Sequence, residues 1–330
     1  MGRLTPAPGR GAVLAAGAVV LTTWAALFEI RFADRWAAGP RLLLFAVLVA
    51  LVGAMAAQAP MGGPVPLPYH ATLQITAVIL GALTLGNLAD ALGASGEFGG
   101  AGGTFWTMTV LAVVVLAWAH RTNSAILTLL GAGAGVIAAV SFVGWLGGSG
   151  LDAARWTLLV CALALTVGAV WLRDRARRHA VSLVDVIGLS LVALGVLTIA
   201  ATAVSSIASG FASSAGGLIA DHVIHTEAPH PVGWEIALLV FGFALIAYGA
   251  VDRERVPAFL GVVCLAEFAG LAGAGRHDFL GWPLVLLLLA LALLAVGLRP
   301  REELPPEPPV PGVQPPPPPP PTAPTEVARP

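Results

Sequence analysis

ATLQITAVILGALTLGNLADAL, residues 71–92, is the stretch that decides the fold. It carries a single charged side chain, Asp90, close to its far end. The hydrocarbon core of a bilayer, about 30 Å thick, is crossed by about 20 apolar residues of α-helix. A helix also bonds every backbone N–H and C=O within the segment, which an isolated strand in lipid cannot do. Residues 71–92 therefore read as a membrane span.

Working outward from it, nine further apolar runs occur at 12–30, 42–58, 104–120, 124–146, 155–172, 183–208, 233–251, 256–274 and 279–298. Hydrophobic residues make up 57% of the chain and charged residues 11%, whereas soluble domains carry roughly a quarter charged residues. The predicted fold is an all-α polytopic membrane protein of about ten transmembrane helices, embedded in the lipid bilayer. No stretch between the runs is long enough to fold as a soluble domain, and no nucleic-acid partner is expected.

The first run ends at Glu29 and Arg31 without a small-residue cleavage site and is followed by many more spans, so it is read as a helix and not as a signal peptide. Cys161 and Cys264 lie inside apolar runs, which excludes a CxxC redox motif. All 17 basic residues are arginine. The absence of lysine excludes a Walker A or Schiff-base lysine, and GASGEFGGAGG at 93–103 is expected to be a flexible connection. With no catalytic motif, neither an enzymatic activity nor a cofactor is expected.

Orientation follows the arginines, because cytoplasmic loops carry their excess. With the N-terminus inside, Arg3, Arg10, Arg121, Arg173, Arg175, Arg177, Arg178, Arg253, Arg255, Arg299, Arg301 and Arg329 are cytoplasmic, against Arg31, Arg35, Arg41, Arg155 and Arg276 on the other side. Both termini are thus predicted in the cytoplasm, and the composition suggests a bacterial cytoplasmic membrane. The first hairpin dissents, since three of the five opposing arginines belong to it.

The chain also resembles itself. LGALTLGNLADALGASG at 80–96 aligns with LGVLTIAATAVSSIASG at 194–210, sharing Leu80/Leu194, Gly81/Gly195 and Thr84/Thr198. GVIAAVSFVGWLGGSG at 135–150 aligns with GVVCLAEFAGLAGAGR at 261–276, and Trp156, Arg173 and Arg175 fall on Trp282, Arg299 and Arg301. The expected organisation is an N-terminal two-helix hairpin (1–62), a first four-helix repeat (63–178), a second (179–298) and a disordered Pro-rich tail (299–330). Four crossings return the chain to the same side, so the repeats should be parallel.

Ionisable groups inside spans are costly and become functional candidates. Asn87 and Asp90, three apart on one helix face, and Glu267 in the ninth run are predicted at the same side of the membrane, as an ion-, proton- or ligand-binding layer between the halves. The second repeat inserts residues 218–233, including DHVIHTEAPHP. Asp221, His222, His225 and His230 there have the right chemistry for zinc, yet their spacing matches no metal motif, and a solvated connection is the reading favoured. Gly131-x-x-x-Gly135 and Gly144-x-x-x-Gly148 predict close helix contacts. Trp36, Trp106, Trp118, Trp156, Trp234 and Trp282 near span ends predict interfacial anchors.

The tail contains seven consecutive prolines at 315–321, so it should be extended and unable to build a core. The expected function is permease-like transport of a small solute or ion, which predicts a polar cavity lined by Asp90 or Glu267. The alternative is a non-transporting scaffold or sensor with an external histidine loop and a docking tail at 302–330.

Overall fold

Long apolar runs in a lysine-free chain become long helices. A computed structural model describes residues 11–32, 35–58, 68–93, 100–147, 150–214 and 232–274. They form α1 (Gly11–Phe32), α2 (Ala38–Gln58), α3 (Pro68–Ala91), α4 (Gly100–Thr122), α5 (Ala125–Trp145), α6 (Leu151–Arg173), α7 (Arg177–Ser214), α8 (Val232–Asp252) and α9 (Arg255–Ala274). There is no strand among the described residues. Eight of these helices, α1 to α8, are long and apolar enough to cross a membrane. The chain is a multipass helical membrane protein. The tenth run (279–298), the tail and the insertion at 218–231 lie outside the described residues.

Two helices organise the packing. α3 contacts α1, α2, α4 and α5, while α7 contacts α5, α6, α8 and α9. They are also the most buried spans, with 44% and 56% of their apolar windows enclosed, against 11% for α1. Around α3, Ala25, Phe45, Val52, Leu73 and Leu80 form one core, and Leu111, Val115, Leu127 and Ala134 continue it between α4 and α5.

Lipid tails are as apolar as leucine, so helices associate by close packing and polar contacts more than by exclusion of water. A Cβ on Gly131 would meet the Leu116 side chain at 2.8 Å and its backbone N at 3.2 Å, so α4 and α5 touch there through the missing side chain. Its motif partner Gly135 has nothing within 4 Å. The tightest approach of α8 and α9 was not singled out by spacing: a Cβ on Gly261 would lie 2.6 Å from the Gly242 carbonyl oxygen.

The connections are shorter than the sequence suggests. Gly100 to Gly103 are already the first turn of α4, so the connection expected over 93–103 ends earlier. The basic run enters α7 at Arg177, leaving Asp174 to Ala176 as the turn, closed by Ala176 N–H donating to Leu172 O at 2.7 Å. The α4–α5 and α8–α9 turns are built alike. Asn123 (φ 50°) and Arg253 (φ 60°) are left-handed, and the following N–H, of Ser124 or Glu254, donates back to Ala119 O (3.2 Å) or Gly249 O (3.0 Å). Trp234, expected at an interface, is buried edge-on against Trp156 with ring centres 4.9 Å apart.

Candidate functional site

Odd-numbered helices end where even-numbered ones begin, so the last turns of α1 and α3 meet the first turn of α2. There Glu29, Asn87 and Asp90 gather round Arg41, which is 5% exposed. Arg41 Nη1 donates to Glu29 Oε1 at 2.6 Å, and Nη2 lies 3.7 Å from Asp90 Oδ2. Asn87 Nδ2 donates to the same Glu29 oxygen at 3.3 Å and to Leu83 O at 2.9 Å. Asn87 and Asp90 thus share a face, as the three-residue spacing requires, but that face is completed by Glu29 and Arg41. Glu29 Oε2, Asn87 Oδ1 and Arg41 Nε are buried without a hydrogen-bond partner.

Glu267 occupies a different place. Its side chain lies on Gly195 of α7, where an added Cβ would fall 2.1 Å from Oε2. That oxygen is buried and has no partner. Asp90 faces α2 and Glu267 faces α7, so the two carboxylates expected to form one layer have separate surroundings.

Arg155, at the start of α6, is the second buried arginine. Its Nη1 donates to Asp152 Oδ1 at 2.8 Å and Nη2 to Leu197 O at 3.4 Å. Arg41 and Arg155 stand at the same sequence separation as Leu80/Leu194, Gly81/Gly195 and Thr84/Thr198. Thr84 and Thr198 spend their hydroxyls on the carbonyls of Leu80 and Leu194, at 2.7 and 2.8 Å, which serves the helix backbone and leaves no donor for a ligand.

The opposite end carries its own polar links. Ser124 Oγ donates to Gln74 Oε1 at 2.7 Å, Gln74 Nε2 lies 3.4 Å from His70 Nε2, and His179 Nε2 lies 2.7 Å from Asn123 Oδ1. These join α3 and α7 to the α4–α5 turn. Further along α7, Asp185 Oδ1 is buried without a partner.

Between the two ends, a cavity of about 640 Å³ opens among α3, α4, α5 and α7. Val78, Leu111, Ile137 and Leu189 typify its wall, and Ser141 and Ser190 are the only hydroxyls among the described residues that line it. Ser190 donates to Val186 O at 2.8 Å. Neither Asp90 nor Glu267 lines the cavity, although Ser141, the repeat counterpart of Glu267, does.

No known protein family, curated protein or solved structure matches this chain. No group of three His, Cys, Asp or Glu side chains among the described residues could hold a metal ion. Asp221, His222, His225 and His230 lie outside the described residues. Glu29, Arg41 and Asp185 were not singled out by the sequence. Glu29 and Arg41 sit at the ends of apolar runs, where a charge reads as a boundary. The one signal was the surplus of arginine in the first hairpin: Arg41 adds to that count without being a loop residue.

Proposed function

We propose that the chain is a permease-like membrane protein for an apolar or amphiphilic small solute, which binds in the cleft among α3, α4, α5 and α7. The observation that carries this reading is the lining of the cleft. A volume of about 640 Å³ is in the range of small-molecule sites, roughly 300–1,000 Å³. A hydrated ion or a sugar entering it would lose hydrogen bonds that two serines cannot replace, at roughly 2–7 kcal/mol for each unpaired polar group. An apolar body loses nothing there, and one hydroxyl or amine can be met by Ser141.

Gly133 provides the test. It lines the cleft, and a Cβ on it would meet nothing within 4 Å, so Gly133→Phe should fill the space without disturbing the helices. A photoactivatable diazirine fatty amine should label the lining residues in the wild-type protein, lose that label in Gly133→Phe, and cross proteoliposomes faster only with the wild type. Equal labelling of both proteins over their lipid-facing surfaces would remove the basis for this reading.

The arginine pattern supports cytoplasmic termini, and the lysine-free composition supports a bacterial inner membrane. Burial of Arg41 and Arg155 leaves Arg31, Arg35 and Arg276 as the opposing loop arginines, so the dissent of the first hairpin is weaker than the raw count. Parallel duplication is supported by the matched arginines, since Arg41 and Arg155 keep the separation of Leu80 and Leu194; the turns at Asn123 and Arg253 are alike in build but stand four residues out of the 126-residue register of the later alignment. Because Arg41 has a counterpart, the unit favoured is α2–α5 and α6–α9, a shift of the expected boundary by one helix.

A second reading, a non-transporting scaffold or sensor, is favoured by the ion-paired junction of α1, α2 and α3. It predicts that removing residues 302–330 abolishes capture of a cytoplasmic partner.

A further inference from the structure

Among the described residues, the ion pairs at the junction of α1, α2 and α3 are one positive charge short. Two carboxylates, Glu29 and Asp90, face the single guanidinium of Arg41. Arg41 reaches one oxygen of each, and both N–H bonds of the Asn87 amide are already given to Glu29 Oε1 and Leu83 O. Two acceptors at one spot are left with no donor, Glu29 Oε2 and Asn87 Oδ1. Asn87 is 2% exposed, so water does not reach its oxygen freely. Its Nδ2 is bonded to Glu29, and the oxygen is fixed beside that nitrogen by covalent geometry, so the unpartnered acceptor belongs to the cluster.

We propose that this cluster binds one small monovalent cation of the sodium class, held by oxygens of Glu29, Asn87 and Asp90. The donor set is oxygen only, which selects hard cations over zinc or copper. The surplus of one negative charge matches a monovalent ion, because a divalent ion would leave net positive charge beside the guanidinium of Arg41, which is itself buried. Bound there, the ion ties the end of α1 to the end of α3. The site does not line the apolar cleft, so it stands or falls independently of the transport reading.

The test uses the full chain in detergent. Thermal unfolding is followed in increasing sodium chloride and in choline chloride of equal ionic strength. The wild-type midpoint should rise saturably by several degrees in sodium alone, since a ligand that binds only the folded state stabilises it by mass action. Asp90→Asn removes the surplus charge and should lose the rise, while Asp90→Glu should keep it. Superimposed sodium and choline curves for the wild type overturn the proposal, as does a full sodium response in both Asp90→Asn and Glu29→Gln. If Asp90→Asn does not fold, binding of radioactive sodium to the wild-type protein decides: one saturable site per chain supports the assignment, and none overturns it.

Discussion

The carboxylate of Glu267 lies directly on the Cα of Gly195, so close that a methyl group there would fall 2.1 Å from Oε2. Glycine at 195 thus makes room for the Glu267 side chain at the α7–α9 contact. Gly195→Ala must either push Glu267 aside or part the helices, and overpacking of this kind costs about 1–3 kcal/mol. The melting temperature of the purified protein should fall by several degrees. Adding Glu267→Ala should restore most of the loss, because the two residues act through one contact and their effects are not additive. An equal loss in the double variant would show that Gly195 is needed for some other reason.

Removing Arg41 should be far more harmful than removing Asp90. Arg41→Ala leaves Glu29 and Asp90 facing one another without a counter-charge, and breaking a buried pair from one side costs about 3 kcal/mol or more. Asp90 is 3.7 Å from the guanidinium and its side chain is 29% exposed, so solvent screens the contact and Asp90→Ala should cost about 1 kcal/mol at most. Chemical unfolding of both variants in the same detergent measures the difference. Similar losses would mean that the junction is not built around Arg41.

The GxxxG spacing in α5 treats Gly131 and Gly135 as equals, and the structure separates them. Gly131→Ala drives a methyl into Leu116 and its backbone N at 2.8 and 3.2 Å, whereas Gly135→Ala enters open space. The first should destabilise the α4–α5 hairpin. The second should be neutral or stabilise slightly, because alanine is preferred to glycine in a helix interior by about 1 kcal/mol. Thermal midpoints of the two single variants give the comparison, and the order is the prediction.

That contrast shows what could be read from sequence. Span positions followed from run length, because the bilayer sets it; eight apolar helices, α1 to α8, appear where they were expected. Asn87 and Asp90 were recognisable because helix periodicity is local. Their partners were not, because Glu29 and Arg41 reach the site through tertiary packing of three helices, and a charge at a run's end looks like solvent exposure. Glu267 was recognisable as an anomaly, but not its contact with Gly195, since no local rule relates α7 to α9. Carboxylates inside apolar runs suggested a polar path, whereas the cleft among α3, α4, α5 and α7 is apolar and lined by neither Asp90 nor Glu267, each of which packs against a neighbouring helix.

The two left-handed turn residues give the last prediction. Asn123 and Arg253 hold positive φ in matching turns, a conformation that costs an ordinary side chain about 1–2 kcal/mol and glycine nothing. For Arg253, with no compensating bond at the side chain among the described contacts, Arg253→Gly should be neutral or raise the melting temperature. Asparagine tolerates the conformation better, and Asn123 Oδ1 also lies 2.7 Å from His179 Nε2, which links the α4–α5 turn to the start of α7. Asn123→Gly therefore gains little in the turn and loses that link, so it should lower the midpoint. His179→Ala also loses the bond between its Nδ1 and Thr128 Oγ1, so it should lower the midpoint further, and adding Asn123→Gly to it should change little. If Asn123→Gly and Arg253→Gly shift stability in the same direction, the bond to His179 contributes nothing and backbone strain alone governs both turns.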